Sequence, residues 1–359
     1  MTMDKIIIII MAAFLVIGGV DRIFSNRLKL GAEFERGIKM TGEMMLSMTG
    51  IIVMAPVIAT VLKPVVMPVC ELFGIDAAMF AGTIIAIDMG GAPLAYEMTA
   101  NTDAAKLGGI IVASMLGATV SFTVPVVMGM FYGEERKLLA KGILFGVITI
   151  PIGIFFSGIV AGFNVVMVVK NTLPIAVISF MIALGLCKAE KYLVKGFVLF
   201  GKLIIIVATV GIVASGIEML LDFKIINGLA PLNDAFLVVG QIGIILAGAF
   251  PLLAVINKLL KKPMKKVGAC LKINSSAVSG LVASLANSLV TFGMLKDMDK
   301  RGRIVNTAFA VSGAFVFGDH LAFTAGFDQS MIVPLIIGKL AAGFSAVALA
   351  LFATRKEKI

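Results

Sequence analysis

The chain has 359 residues, of which 60% are hydrophobic and 14% charged, and its mean hydropathy is +1.08. That much apolar surface cannot be hidden from water in a soluble core of this size, which excludes a soluble globular protein and places the chain in a bilayer. The net charge of +10 would suggest nucleic acid as the partner of a soluble chain; here the basic residues sit in short loops between apolar runs, where they act as orientation signals and no nucleic acid is expected.

A helix needs about 20 mostly apolar residues to cross roughly 30 Å of hydrocarbon. In chain order the apolar runs predict spans over 5–24, 44–62, 107–131, 140–162, 168–187, 197–221, 234–257, 304–325 and 331–353. The first is long for a signal h-region, carries only Lys5 against Asp4 ahead of it and is followed by no small-residue cleavage site, so it counts as a retained span. Segments 77–98 and 277–296 are also just long enough to cross, and charge decides their fate. If both dip in and return, 24 of the 31 Lys and Arg residues fall on one side, in the clusters 22–39, 136–141, 188–195, 258–272, 296–303 and 355–358. Lys5, Lys63, Lys106, Lys170 and Lys224 then lie on the other side, and Lys202 and Lys339 within spans. A full crossing by 277–296 would instead turn the cluster KLLKKPMKK outward, against the rule that Lys and Arg mark the cytoplasmic side. The prediction is an all-α polytopic membrane protein of about nine transmembrane helices plus two re-entrant hairpins, with the N-terminus outside and the C-terminus inside.

Within the first hairpin, DMGGAPLAYE (88–97) puts Gly90, Gly91 and Pro93 where a helix breaks. The second turns around Ala286, Asn287 and Ser288. Sliding the chain by 198 positions lays INSSAVSGLVASL (273–285) over IDAAMFAGTIIAI (75–87), with Gly280 on Gly82 and Ser312 on Ser114. The span at 44–62 starts from five basic residues and ends near Lys63 alone, whereas 234–257 starts beside Lys224 alone and ends at six. The two halves therefore read as inverted: a first repeat over 1–165, a connecting helix over 166–192 and a second repeat over 193–359. Inverted repeats with interrupted helices are a construction of secondary transporters, which hold substrate near the midplane where the broken elements meet. The alternative, a duplication whose hairpins are short full spans, stays open at this point.

Ionisable groups at membrane depth cost on the order of 2.5 to 3.5 kcal/mol and mark function. Asp88 lies in the first hairpin, Asp319 and His320 lie deep in 304–325, and Asn287 and Ser288 mark the second tip. By the same offset Asp88 maps to Ala286, beside Asn287, and Asp319 maps to Ser121. Each half thus supplies one carboxylate and one neutral polar group, which suits a small ligand with a positive end and a hydroxyl end. Asp88, with no basic residue nearby in sequence, is the expected main partner of an ammonium group; its other reading is a cap on broken backbone. Asp319 is either a second ligand or the structural ion-pair partner of Lys339. His320, on a different helix face from Asp319, is a satisfied buried imidazole or a proton relay. Cys70, Cys187 and Cys270 are far apart and match no metal or redox spacing, so neither a disulfide nor a metal site is expected. There is no P-loop, GxSxG or HExxH, hence no expected enzyme constellation or cofactor.

The stretches FAGTIIAIDMGG (80–91), VITIPIG (147–153), LVASLANSLVTFGMLKDMDKRGRIVNTAFAVSGAFVFGDH (281–320) and IVPLIIGKL (332–340) resemble the bacterial ethanolamine utilisation permease family, EutH. The resemblance covers essentially the whole chain and is most specific in the last third. Asp88, Asn287, Asp319, His320 and Lys339 fall on positions that match the family's pattern. It implies passage of ethanolamine across the bacterial cytoplasmic (inner) membrane, toward a breakdown pathway that begins with a cobalamin-dependent ammonia-lyase in a protein microcompartment. The expectation is a facilitator or secondary transporter of protonated ethanolamine, with the bilayer as its other partner and homo-oligomer formation left open. An ion-coupled symporter of another small organic cation, and a non-transport anchor or enzyme of the ethanolamine pathway, are the competing expectations.

Overall fold

In hydrocarbon every backbone N–H and C=O must find its partner within the chain, so apolar runs of this length fold as helices. The structure, a computed structural model, describes residues 3–355; the side chains of Asn257 and of residues 260–270, Cys270 and most of the 258–272 basic cluster included, lie outside the described residues, as does the tail from 356 on. Among the described residues every regular element is helical, and eight helices are long and apolar enough to cross a membrane.

Helix α1 (Met3–Ile23) ends in a tight turn built on Asp21, whose carboxylate accepts the backbone N–H groups of Leu28, Leu30 and Gly31. The chain then enters α2 (Leu30–Met44), which continues through a π-wound turn (Met45–Thr49) into α3 (Gly50–Phe73). The apolar runs leave 22–39 in a loop and begin the span at 44. The helix starts earlier because Gly31, Phe34, Gly37, Thr41 and Met44 recur at three- and four-residue spacing and form an inward stripe. That stripe lies along α11 (Leu232–Leu271), with Gly37 against the Ala247 backbone and Thr41 against Gly243.

The first hairpin is α4 (Ala78–Ile84), a 3₁₀ turn over Ile87–Met89 and α5 (Gly91–Met98). Its two ends are tied together by Thr99, whose hydroxyl donates to Asp76 Oδ2 at 2.8 Å. After it α6 (Thr102–Lys106) runs into π-wound stretches over Leu107–Gly117 and Thr119–Thr123 and then α7 (Val124–Met130). Three long helices follow: α8 (Gly133–Val160), α9 (Val165–Lys188) and α10 (Glu190–Leu221). The second hairpin, α12 (Ser275–Ala286) and α13 (Ser288–Met294), is closed like the first, since Asn274 Nδ2 donates to the Asp297 carbonyl at 2.9 Å. Each hairpin thus returns to the level at which it started.

One expected span is not continuous. The run 304–325 divides into α14 (Lys300–Ser312) and α15 (Asp319–Phe327), separated by non-helical backbone in which Phe315 takes a left-handed φ of 60°. The last helix, α16 (Ile332–Ala353), packs with α8 and α14 through small residues. Gly142 and Gly146 of α8 meet Thr307, Ala308 and Val311 of α14, and Gly338 of α16 sits against Gly153 and Ser157. Such close approaches hold helices together where lipid offers no hydrophobic drive.

Outside the spans, Lys106 pairs with Asp328 at 2.9 Å and ties the exit of the first hairpin to the end of α15. Burial alone would raise the Asp328 carboxyl, but Ser330 and Lys106 hold it below its ordinary range. The tie therefore contributes in full above the usual carboxylate range and is lost only as the pH falls below about 4. The hairpins themselves are tested by single cysteines: positions 71 and 101 should label from one side of sealed vesicles, and positions 272 and 296 from the opposite side. Labelling of the two ends of one hairpin from different sides would contradict the fold.

Candidate functional site

Three helix interruptions meet. The last turn of α12 would leave carbonyls without partners at membrane depth, and the loop before α15 supplies them: Phe315 N–H donates to Ser284 O and Phe317 N–H to Leu285 O, both at 2.9 Å. Gly318 sits so close that a Cβ there would collide with the Ala286 carbonyl oxygen. Across the molecule the 3₁₀ turn of the first hairpin faces α15, and Gly90 makes that turn with a φ of +98°, a conformation that favours glycine.

The polar residues lie on these interruptions. Asp88 occupies the first turn, Asn287 the second hairpin tip and Asp319 the first position of α15. Lys339, 1% exposed on α16, donates to the Ser114 carbonyl at 2.6 Å, and its ammonium lies 3.1 Å from His320 Nδ1. An ammonium only donates, so His320 Nδ1 is the acceptor and the ring's proton is assigned to Nε2. That nitrogen faces Asp88 Oδ1 at 3.9 Å. The His320 ring is held in place by Phe315, whose centroid is 4.9 Å away at a tilt of 31°. Asp88 keeps 36% of its side-chain surface accessible. Asp319 is 7% exposed, and its Oδ1 has no hydrogen-bond partner among the described residues. Asp88 is within electrostatic reach of both Asp319 and Lys339.

A cavity of about 80 Å³ opens beside Asp319 and is lined also by Asn287, Ala286, Arg36 and Glu33. A wider vestibule of about 590 Å³, bordered by Glu35, Lys39 and Glu43, shares Arg36 and Asn287 with it. Asn287 Oδ1 caps α13 by accepting from Leu289 N at 2.8 Å, which leaves its amide N–H groups as donors. The larger crevice of about 640 Å³ between α3 and α9, lined by Val66, Cys70, Phe73 and Met181, is almost wholly apolar and unsuited to a charged solute.

Not every expected residue converges. The ion pair expected between Asp319 and Lys339 does not form: α16 presents Lys339 to the Ser114 carbonyl and His320, and the carboxylate within its reach is Asp88. Asp88, which has no basic neighbour in sequence, therefore has two in space. Ser121 donates to Gly117 O at 2.7 Å and is not among the residues lining the cavity beside Asp319. Ser288 is fully buried next to Asn287, its hydroxyl without a partner among the described residues. Sequence reasoning missed Glu33 and Arg36, which the spacing of the α2 stripe would have placed on a helix, and the Ser114 carbonyl, which no sequence signal announces.

Interrupted helices that bring a partly accessible carboxylate, Asp88, within electrostatic reach of a buried one without a hydrogen-bond partner, Asp319, define a multi-pass membrane protein with a buried polar site at the breaks, the construction of carriers for small solutes. The chain belongs to the ethanolamine utilisation protein EutH family, whose sequence model matches residues 3–353. It is 49% identical over 352 residues to a probable ethanolamine permease EutH of Listeria monocytogenes, covering 98% of this chain and 94% of that one. It is 42% identical over 354 residues to the uncharacterized protein YxeR of Bacillus subtilis (99% and 96% covered) and 37% identical over 395 to a probable ethanolamine permease EutH of Escherichia coli (99% and 97%). No solved structure matches the chain.

The geometry separates the roles of His320 and Asp319 in stability. Replacing His320 with Leu removes a partner from a fully buried ammonium and should lower stability by about 1–2 kcal/mol. Asp319→Asn should shift it by less than about 0.5 kcal/mol, because no lysine depends on Asp319. Thermal melting of both variants in detergent checks this, and an Asp319→Asn loss as large as that of His320→Leu would restore the Asp319–Lys339 pair.

Proposed function

We propose that the protein carries protonated ethanolamine into the cell across the bacterial cytoplasmic membrane, with the ammonium held between Asp88 and Asp319 and the hydroxyl on Asn287. The observation that carries this reading is the pair of carboxylates at the meeting of the breaks. One has an accessible face and the other a buried oxygen without a partner. A buried carboxylate needs a counter-charge with hydrogen bonds to give, and a primary ammonium supplies both. The amine is mostly protonated near neutrality, as that of lysine is. The names of the Listeria and E. coli relatives support the same substrate.

The inverted repeat gives the site its frame. Contacts recur at the offset of 198: Asp76 with Thr99 answers Asn274 with Asp297, and Gly82 against Gly108 answers Gly280 against Asn306. We place the repeats over 1–165 and 193–359, joined through 166–192, with the N-terminus outside and the C-terminus inside as the basic clusters require. On that orientation the Glu35–Lys39–Glu43 vestibule opens toward the cytoplasm, and the carrier stands inward-facing.

Ethanolamine has four heavy atoms, and the best small ligands gain about 1.5 kcal/mol for each, so binding should be no tighter than tens of micromolar. Flux of labelled ethanolamine into liposomes bearing the purified protein tests the assignment. Asp88→Asn and Asp319→Asn should each lower it by about tenfold or more, equivalent to a loss of about 1.4 kcal/mol. Undiminished flux in folded variants would move the ammonium elsewhere, and no flux in the wild type would favour an anchor or enzyme of the pathway.

A further inference from the structure

The proposed carrier contains an ammonium of its own. Lys339 is 1% exposed, and the two groups it touches, the Ser114 carbonyl and His320 Nδ1, are both uncharged. No carboxylate oxygen of the described residues lies within 4.0 Å of it. A lysine kept for structure alone is expected on a direct carboxylate partner, because burying an ammonium without one is expensive. Lys339 instead stands behind His320, facing the same carboxylate that is proposed to receive the substrate.

The charges around the breaks can be counted. With both carboxylates ionised and Lys339 protonated, Asp88 and Asp319 contribute two negative charges and Lys339 one positive charge, while His320, accepting at Nδ1, is neutral. From the α2 side, Arg36 is paired with Glu33 at 3.4 Å, and Glu35 with both Lys39 at 2.7 Å and Arg22 at 3.6 Å; these groups are solvated and screened by water. Glu43 is exposed at the vestibule wall and screened by water. The site is left one negative charge in excess, which a single monovalent cation neutralises. A zwitterion leaves the excess in place, and a dication overshoots it.

Resting on the carrier reading above, we propose that Lys339 is a specificity-determining residue that fixes the charge capacity of the site at one. Its ammonium fills the second cation position permanently. The protein therefore accepts primary-ammonium monocations without an accompanying sodium ion or proton, and rejects diamines and amino acids.

The test uses purified protein in liposomes, with labelled ethanolamine and labelled 1,3-diaminopropane as probes, each with and without imposed sodium and proton gradients. The wild type should move ethanolamine independently of both gradients and the diamine at least tenfold more slowly. Lys339→Gln, which keeps length and hydrogen bonding but not charge, should raise diamine uptake tenfold or more, or make ethanolamine uptake depend on one of the gradients. Lys339→Arg should keep the diamine excluded. Folded, active Lys339→Gln protein with wild-type selectivity and no gradient dependence would overturn the proposal while leaving the carrier reading intact. A wild type that moves no ethanolamine would overturn the carrier reading itself. If Lys339→Gln does not fold, the wild type decides alone: one net charge moved per ethanolamine supports the proposal, and two charges or a sodium requirement overturns it.

Discussion

Broken backbone at membrane depth must find hydrogen bonds inside the protein, and the rest of this structure depends on how that is done. The carbonyls of Ser284 and Leu285, at the end of α12, accept from Phe315 and Phe317 of the loop that interrupts the next span. Two interruptions thereby satisfy one another. The arrangement holds Phe315 in a left-handed conformation that costs a bulky residue on the order of 1–3 kcal/mol, and the same residue then packs its ring on His320. Backbone satisfaction and the placement of the polar cluster are one interaction seen from two sides.

From this follows the distribution of charge. Asp88, Asn287 and Asp319 sit at points where helices stop, so Asp88 faces His320 in the protein interior while Asn287 and Asp319 line the cavity beside α2. Lys339, in an unbroken helix, is positioned by packing, since Gly338 beside it lets α16 approach α8 at Gly153 and Ser157. Rigid helices thus carry the fixed cation and interrupted ones carry the carboxylates. A site built in this way combines a firm wall with elements whose short half-helices have few internal hydrogen bonds of their own.

Much of this was legible in the sequence, for identifiable reasons. Gly90, Gly91 and Pro93 announce the first break because each disfavours a helix. The basic clusters argue for hairpins, and the ties Asp76–Thr99 and Asn274–Asp297 close them. Other features were hidden. The break before Asp319 lies within AVSGAFVFGDH, whose mean apolarity suits an ordinary span, and only Gly313 and Gly318 hint at it. The helix over 30–44 was masked because its charged residues depress the average on which span detection relies, although its packing stripe is regular. The Asp319–Lys339 pairing stays open in the sequence because the contacts Lys339 makes instead are 225 and 19 residues away, and spacing cannot reveal which face of α16 they meet.

In the function proposed above, the ammonium of ethanolamine joins the two interrupted halves through Asp88 and Asp319. The most direct measurement is an experimental structure of the protein in a lipid bilayer with ethanolamine bound. The substrate nitrogen should lie within about 3 Å of carboxylate oxygens of both residues, with the hydroxyl on Asn287. Ethanolamine bound in the apolar crevice between α3 and α9, or a continuous helix through 313–318 that removes Asp319 from the break, would contradict it.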